Sequence, residues 1–245
     1  LRYPLKDGSG YLSFIGDTTY PSYAISVTYK HSKTYEDGYT PAAPVSQNKK
    51  LKDTIAKLEA GETVNIAIYG DSISCGWSSS GLNNPNGIYD ESNTEGSFKT
   101  NYVINVAPYA PTWIDMFLFG LQKRYPEATI NLKNLSLGGK DASWGAKNIA
   151  ARLALWKDEE GNQVTPDLLL VGFGVNDAAT NNGAGRTEAE FKGFTEQMID
   201  TARTASGNSN LEVLFYSPML PNQKAVAWDQ EKLMGYENAL AAIAA

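Results

Sequence analysis

Three short stretches of the sequence hold residue types that could take part in nucleophilic catalysis. Ser72 lies in Gly70-Asp71-Ser72-Ile73-Ser74, directly after an apolar run, where a hydroxyl on a tight turn could act as a nucleophile. Gly139 is one of two adjacent glycines in residues 134–141, whose backbone N–H groups could point at a developing negative charge. Asn176 follows in Gly174-Val175-Asn176-Asp177, and its uncharged amide could donate to the same oxyanion.

Each stretch also has a simpler structural explanation. Gly-Asp-Ser is a common turn tripeptide, and paired glycines are typical of a tight turn from a strand to a helix. Asn176 or Asp177 could cap the N-terminus of a helix, an explanation that suits Asp177 better than Asn176. Each stretch is weak evidence when taken singly, so their order along the chain matters more than any one of them.

The apolar pattern predicts which elements position these stretches. Short apolar or alternating runs predict four strands, at residues 64–69, 130–135, 168–172 and 211–216. Helical spacing of apolar residues predicts five helices, at residues 49–60, 112–124, 143–156, 187–204 and 229–245. Strands that alternate with helices form a parallel sheet covered on both faces, with ligands at the carboxyl ends of the strands. Each stretch follows one of the first three strands, so we expect the three to meet at that edge.

The first 45 residues have a different character and are rich in Tyr, Thr, Ser and Gly. Alternating residues predict strands at 11–15 and 23–29. Two prolines and a polar run then favour a boundary near residue 45. We therefore expect a β-rich segment at residues 1–45, shorter than a full β-sandwich, and an α/β domain at residues 46–245.

The order and spacing of the three stretches resemble the SGNH, or GDSL, hydrolase superfamily over residues 62–245. The resemblance implies a flavodoxin-like, three-layer α/β/α fold with a parallel sheet. It also implies that Ser72 is the nucleophile, and that the N–H groups of Ser72 and Gly139 and the side-chain amide of Asn176 form an oxyanion hole. A β-rich segment ahead of such a domain is similar to the layout of bacterial carbohydrate esterases, which favours a serine esterase.

The resemblance is incomplete at one point. Members of the superfamily carry an Asp-x-x-His motif near the C-terminus, after a fifth core strand, and its histidine activates the serine. No histidine follows Ser72, and the one histidine of the chain is His31, in the β-rich segment. We expect His31 to be structural rather than recruited to Ser72, and the catalytic histidine to lie on a C-terminal strand and loop that these 245 residues lack. On that interpretation the chain alone is nearly inactive, whereas its parent protein is an esterase.

Composition argues against several other classes of function. The net charge of −6 and the lack of a prominent basic run argue against a nucleic-acid partner, and no apolar run reaches the roughly 18 residues of a membrane span. One Cys and one His leave little for a metal site. Neither Gly-x-Gly-x-x-Gly nor a phosphate-binding loop follows the first core strand, so we expect no metal, cofactor or nucleotide. The chain begins at Leu1, as a processed protein would, and we expect a secreted or cell-surface location.

Aromatic and polar residues near the motifs favour a carbohydrate substrate. Trp77 and Trp144 lie five residues after Ser72 and Gly139 and could form platforms for a sugar, although tryptophan is more often a core residue. Residues 78–108 are rich in Asn, Ser and Gly, which suits a polar wall better than a lid over lipid. We therefore expect an acylated, most simply acetylated, oligo- or polysaccharide as substrate, as for an acetylxylan esterase. The alternatives are a lysophospholipid esterase and a non-catalytic glycan-binding relative.

Overall fold

The structure is a computed structural model that describes six stretches of the chain, residues 2–4, 11–13, 50–75, 113–180, 185–218 and 227–244. Five sequence predictions lie outside these residues: the strand at 23–29, the structural role of His31, the boundary near residue 45, the platform at Trp77 and the polar segment at 78–108. No helix among the described residues is long and apolar enough to cross a membrane.

The described residues form six strands and five helices. The strands are β1 (Arg2–Pro4), β2 (Tyr11–Ser13), β3 (Thr63–Gly70), β4 (Thr129–Asn134), β5 (Leu168–Gly172) and β6 (Glu212–Phe215). The helices are α1 (Lys52–Glu59), α2 (Trp113–Arg124), α3 (Ala142–Leu153), α4 (Glu188–Ser206) and α5 (Gln230–Ala244). All nine elements predicted for the α/β part are present, each within three residues of its predicted ends.

The main sheet is parallel and has the strand order β4-β3-β5-β6. β3 pairs with β4 on one side and with β5 on the other, and β6 pairs with β5. The three strands that precede the motifs are therefore direct neighbours. β1 pairs antiparallel with β2 in a separate two-stranded sheet, in keeping with a β-rich N-terminal segment. The α/β class is confirmed, whereas the domain boundary near residue 45 stays a prediction.

Alternation along the strands divides the core between the two faces of the sheet. Ala67 and Tyr69 on β3 pack with residues of α3, α4 and α5 in one buried cluster. Ile66 and Ile68 pack with residues of α1 and α2 in the other. β5 is buried at all five positions because it has a strand on each side and helices on both faces. The result is three layers, with the sheet in the middle.

β6 is the outermost strand on its side of the described sheet, and its residues are largely half-buried. A groove of about 510 Å³ lies beside it, lined by residues of α1, β6 and α5 that include Ile55, Val213 and Leu240. None of the residues that line this groove belongs to the three motifs, so it is separate from the edge where the motifs meet.

α3 ends three residues before the predicted end at Trp156. The chain tightens there, because Leu155 N–H donates to Arg152 O at 3.2 Å and Trp156 N–H donates to Leu153 O at 3.0 Å. Trp156 is nevertheless buried in the same cluster as α3. Apolar spacing therefore continues beyond the last helical residue, which is why the sequence predicts a longer helix.

α4 carries stabilising groups at both ends. Thr187 Oγ1 accepts from Glu190 N–H at 3.2 Å, and the Glu190 carboxylate accepts from Thr187 N–H at 2.8 Å, which forms a capping box. Gly207 ends the helix with φ 69°, a left-handed conformation that glycine adopts without strain. These two signals fix the length of the helix that follows the third motif.

Candidate active site

The three motifs follow the carboxyl ends of three neighbouring strands. β3 ends at Gly70, β4 at Asn134 and β5 at Gly172, and Gly70 is the register partner of Gly172. Hydrogen bonding continues past the strand ends: Leu137 N–H donates to Gly70 O at 3.0 Å, and Asp71 N–H donates to Gly172 O at 3.4 Å. The three motifs therefore start from one edge of the sheet, as the sequence predicts.

Ser72 is half-exposed on a tight turn that begins directly after β3. Cys75 N–H donates to Asp71 O at 3.0 Å and closes the turn. The Asp71 carboxylate accepts from Ile73 N–H at 2.9 Å. These two bonds fix the backbone on both sides of Ser72, so its hydroxyl and its N–H group project from a defined position.

Ser74 connects this turn to β5 and to the residue that follows β6. Its hydroxyl donates to Gly172 O at 3.1 Å and accepts from the Tyr216 hydroxyl. Burial raises the pKa of Tyr216 far above its usual range, so the phenol remains a neutral donor. A side chain at Gly172 would overlap the Tyr216 ring, and one at Gly70 would overlap the Ser74 hydroxyl. Close packing behind the turn therefore requires both glycines.

Trp113, the first residue of α2, supports the turn from a different element. Its indole Nε1–H donates to Ile73 O at 2.9 Å. Its ring also lies near the ring of Tyr216, with 5.3 Å between the centroids. The turn that carries Ser72 is thus held by residues from α2 and from the end of β6.

The loop after β4 exposes Gly139. This glycine has φ 72°, so it occupies the left-handed region without the strain that a side chain would cause. The buried Arg152 holds the base of the loop, donating from Nε to Leu135 O at 2.9 Å and from Nη2 to Ser136 O at 3.2 Å. The loop is therefore held at its base and has no side chain at the point where its N–H group would approach a ligand.

Asn134, at the end of β4, joins the first motif to the second. Its Nδ2 donates to Ser74 O at 2.9 Å, and its Oδ1 accepts from Ser136 N–H at 3.0 Å. One buried amide therefore bonds the turn that carries Ser72 and the start of the loop that carries Gly139.

Asn176 lies between the first two motifs. Its Nδ2 donates to Lys140 O at 3.0 Å and lies 3.5 Å from Asp71 Oδ2. Lys140 directly follows Gly139, and Asp71 directly precedes Ser72. The structure therefore brings Asn176 against the immediate neighbours of the other two predicted site residues.

Asp177 contacts a helix N-terminus, although not as the cap of a helix that follows it. Both of its carboxylate oxygens accept from the N–H of Ala142, the first residue of α3, at 3.0 and 3.1 Å. The N-cap of α3 is Asp141, whose side chain accepts from Trp144 N–H at 2.8 Å. Asp177 thus links the third motif to the helix after the second.

Two buried carboxyl groups and a thiol lie in these motifs. Burial raises the pKa of Asp71 to about 6 and the pKa of Asp177 to about 7, although N–H groups of Ile73 and Ala142 donate to the carboxylates and oppose the shift. Burial also raises the pKa of the Cys75 thiol to about 12. The thiol is therefore protonated at neutral pH, which makes it a poor nucleophile beside Ser72.

Comparison with known families decides the class of protein. Residues 68–245 match the model of the GDSL-like Lipase/Acylhydrolase family, which covers all three motifs and more than half of the chain. This chain belongs to the GDSL-like lipase/acylhydrolase family. The resemblance to GDSL hydrolases is thereby confirmed. No curated protein matches the chain by sequence.

Several solved structures are similar to this GDSL-like chain. A two-domain esterase active on acetylated mannans has 20% identity and a TM-score of 0.42, over 69% of this chain and 34% of its own. A lipase/acylhydrolase from Enterococcus faecalis has 16% identity and a TM-score of 0.46, over 74% and 70%. A mutant acetyl-xylooligosaccharide esterase from Geobacillus has 17% identity and a TM-score of 0.45, over 74% and 71%. The chain thus spans about a third of the length of the two-domain esterase.

Trp144 lies in the first turn of α3, half-buried beside the second motif of this family member. Its ring packs against the buried cluster, with its centroid 6.0 Å from that of Tyr69. Lys140 Nζ lies 5.4 Å from the ring centroid, at cation–π distance. Packing and the lysine therefore account for part of the ring surface, and a platform for sugar at Trp144 stays a prediction.

Sequence reasoning missed three residues that support the GDSL-like site, Trp113, Arg152 and Tyr216. Tyr216 carries a signal that could have found it, because it directly follows β6 at the same edge of the sheet as the motifs. Trp113 and Arg152 lie within helices of apolar spacing, and nothing in that spacing distinguishes them from core residues.

Proposed function

We propose that Ser72 is the nucleophile of an esterase that removes acyl groups, most simply acetyl, from carbohydrate. The observation that carries this proposal is the position of the Asn176 amide, bonded to Lys140 O and close to the Asp71 carboxylate. A nucleophile turn, a glycine loop and a neutral amide donor therefore meet at one edge of the sheet, which is the arrangement that acyl transfer needs.

In the proposed reaction, the Ser72 hydroxyl attacks the acyl carbon and its proton passes to a general base. The base returns this proton to the sugar oxygen as the tetrahedral intermediate collapses and the sugar hydroxyl leaves, and water then hydrolyses the acyl-serine. The base in this scheme is an imidazole, and the described residues contain no histidine. Ser72 needs such a base because a serine hydroxyl at its ordinary pKa is a weak nucleophile.

The oxyanion of the intermediate accepts from Ser72 N–H, Gly139 N–H and Asn176 Nδ2, each contributing about 3 kcal/mol of transition-state stabilisation. The Asn176 amide has two N–H bonds, so one can hold Lys140 O while the other serves the oxyanion. The 3.5 Å contact with Asp71 is long for a hydrogen bond, so replacing it costs little.

Sequence composition around the site supports a sugar ester over a lipid ester. Residues 78–108, which follow the Ser72 motif, are rich in Asn, Ser and Gly rather than in large apolar side chains. Trp77 and Trp144 flank the motifs and supply aromatic rings of the kind that sugars stack on. Esters of long acyl chains would instead need an extended apolar surface at the same place.

The test is acetate release from acetylated xylan by the natural protein at its full length. We expect Ser72→Ala to lower the rate at least about 10³-fold, because it removes the hydroxyl that attacks the acyl carbon. Ser209→Ala removes an exposed serine far along the chain and serves as the matched control, with an unchanged rate. Undiminished release by Ser72→Ala overturns the proposal.

Substrate class is tested separately, with aryl esters of increasing acyl length. Preference for acetyl supports the carbohydrate proposal, and preference for long acyl chains supports a lysophospholipid-type esterase instead. Polysaccharide binding without acetate release by the natural protein supports the non-catalytic glycan-binding alternative, and binding is then the same in Ser72→Ala.

A further inference from the structure

Two consecutive residues after β5 bond to the loop that carries Gly139. Asn176 Nδ2 donates to Lys140 O at 3.0 Å, and the Asp177 carboxylate accepts from Ala142 N–H at 3.0 and 3.1 Å. Lys140 and Ala142 are the first and third residues after Gly139. The third motif therefore holds the far end of the second motif through one amide and one carboxylate.

The bond from Ala142 to Asp177 satisfies an N–H group at the start of α3 that the N-cap residue does not reach. Asp141 already accepts from Trp144 N–H as the N-cap, and α3 therefore has a second carboxylate at its start. Asp177 is only 1% exposed, and burying a carboxylate is costly unless it has good donors. The second carboxylate therefore satisfies a donor at the start of α3 and, because Asp177 follows β5, it also connects two loops.

A third residue, Arg186, hydrogen-bonds to both motifs. Arg186 N–H donates to Asp177 O at 2.7 Å, and its guanidinium donates to Asp141 Oδ2 at 2.9 and 3.2 Å. The Tyr236 hydroxyl donates to Arg186 O at 2.6 Å and so connects Arg186 to α5. The charged groups that face the Asp177 carboxylate are thus Asp141 and Arg186.

Gly139 depends on these anchors because it has no side chain of its own to hold it. On the near side, Leu137 N–H donates to Gly70 O at 3.0 Å. On the far side, the anchors are the bonds of Lys140 O to Asn176 and of Ala142 N–H to Asp177. Without the Asp177 carboxylate, the far side keeps the bond of Lys140 O to Asn176 and the pair of Asp141 with Arg186, but it loses the bond that joins the start of α3 directly to the third motif.

We propose that Asp177 is a positioning residue that holds the loop of residues 138–141 so that Gly139 N–H and the Asn176 amide converge on the oxyanion formed at Ser72. This inference rests on the proposed function, since it assigns Asp177 a part in the same acyl transfer. Asp177 acts through Ala142 and does not itself touch the substrate.

The kinetic test compares Asp177→Ala with Asp177→Asn in the natural protein at its full length, with an aryl acetate. We expect Asp177→Ala to lower kcat by about 10²-fold with KM within about twofold, because a misplaced oxyanion donor affects the transition state most. Asp177→Asn keeps an oxygen that accepts from Ala142 N–H, and we expect it to restore most of kcat. Leu58→Ala, in the cluster on the opposite face, controls for a loss of stability alone.

A kcat for Asp177→Ala that is within twofold of the natural protein, or no lower than that of Leu58→Ala, overturns the inference. The same holds if Asp177→Asn is as slow as Asp177→Ala. In each of these outcomes Asp177 serves stability and not the position of the loop.

A second readout separates this inference from the proposed function. Amide hydrogen exchange is measured at Ala142 in a Ser72→Ala background, where no turnover occurs. We expect Asp177→Ala to speed exchange at this amide, because its acceptor is removed, and Leu58→Ala to leave it protected. Continued protection at Ala142 overturns the inference, whereas residual esterase activity of Ser72→Ala overturns only the choice of nucleophile.

Discussion

Asn176 is the single residue whose removal tests the proposed oxyanion hole most directly, because in that proposal it donates with a side chain rather than with the backbone. We expect Asn176→Ala to lower kcat by about 10² to 10³-fold with little change in KM. The comparison is a steady-state assay with an aryl acetate, with the exposed Asn210→Ala as control. A rise in KM at constant kcat would mean that the Asn176 amide binds the ground state instead.

Tyr216 supports the Ser72 turn indirectly, because its hydroxyl donates to the hydroxyl of Ser74. We expect Tyr216→Phe to lower the free energy of unfolding by about 1 to 2 kcal/mol, since it removes the donor to a buried hydroxyl but keeps the ring. We also expect a lower kcat, because Ser74 bonds the Ser72 turn to β5. Urea denaturation and kcat are measured together. Tyr125→Phe, at a half-buried tyrosine before β4, is the control and should change neither quantity appreciably.

Residue types and spacing were enough to place Ser72, Gly139 and Asn176 at one edge of the sheet. Their surroundings could not be predicted in the same way. Arg152 reaches the carbonyls of residues 135 and 136 from a helix, and that contact depends on how α3 packs against the sheet. Contacts of this kind are set by packing between elements, and a single sequence does not encode them in any local pattern.

Among the elements, α4 offers the clearest link between a local signal and stability. We expect Thr187→Ala to lower the free energy of unfolding by about 1 kcal/mol, because it removes the hydroxyl of the capping box at Glu190. The exposed Thr63→Ala at the start of β3 is the matched control, and thermal or urea unfolding is the measurement. If the two variants have the same free energy of unfolding, the capping box adds nothing to what an exposed threonine outside a capping box contributes.

The elements themselves could be predicted because their apolar periods differ. β5 is a continuous apolar run and was predicted at its observed bounds, since a strand covered on both faces has no polar position. β1 was not predicted, because three residues that include a proline show no recognisable alternation. The predicted end of α3 lies three residues too late, because the buried Trp156 continues the apolar spacing beyond the helix.

For the molecule as a whole, the two buried carboxyl groups of the motifs govern how stability depends on pH. Folding raises the pKa of Asp71 to about 6 and of Asp177 to about 7, from an ordinary value of 3.8. Between the ordinary pKa of 3.8 and these raised values, the two carboxyl groups therefore hold more protons in the folded state than in the unfolded chain. The contribution of these groups to stability is greatest below the unfolded pKa and falls as pH rises toward 7.

We expect Asp177→Asn to flatten this dependence, because it removes one of the two groups that titrate. The slope of the free energy of unfolding against pH, from pH 4 to 7, changes by up to about 1.4 kcal/mol per pH unit. Urea denaturation across that range measures it, with the exposed Asp200→Asn as control. An unchanged slope would mean that Asp177 is ionised in the folded protein throughout the range.

The contact between Gly172 and Tyr216 also restricts which substitutions this protein can accept during evolution. Because a side chain at Gly172 would overlap the phenol ring, alanine becomes acceptable there only after the tyrosine has been replaced by something smaller. That first replacement costs the hydrogen bond to Ser74, so each single step toward the double change is unfavourable. The two positions are therefore epistatic, and a mutant library built on this scaffold must vary them together if it is to leave the starting pair.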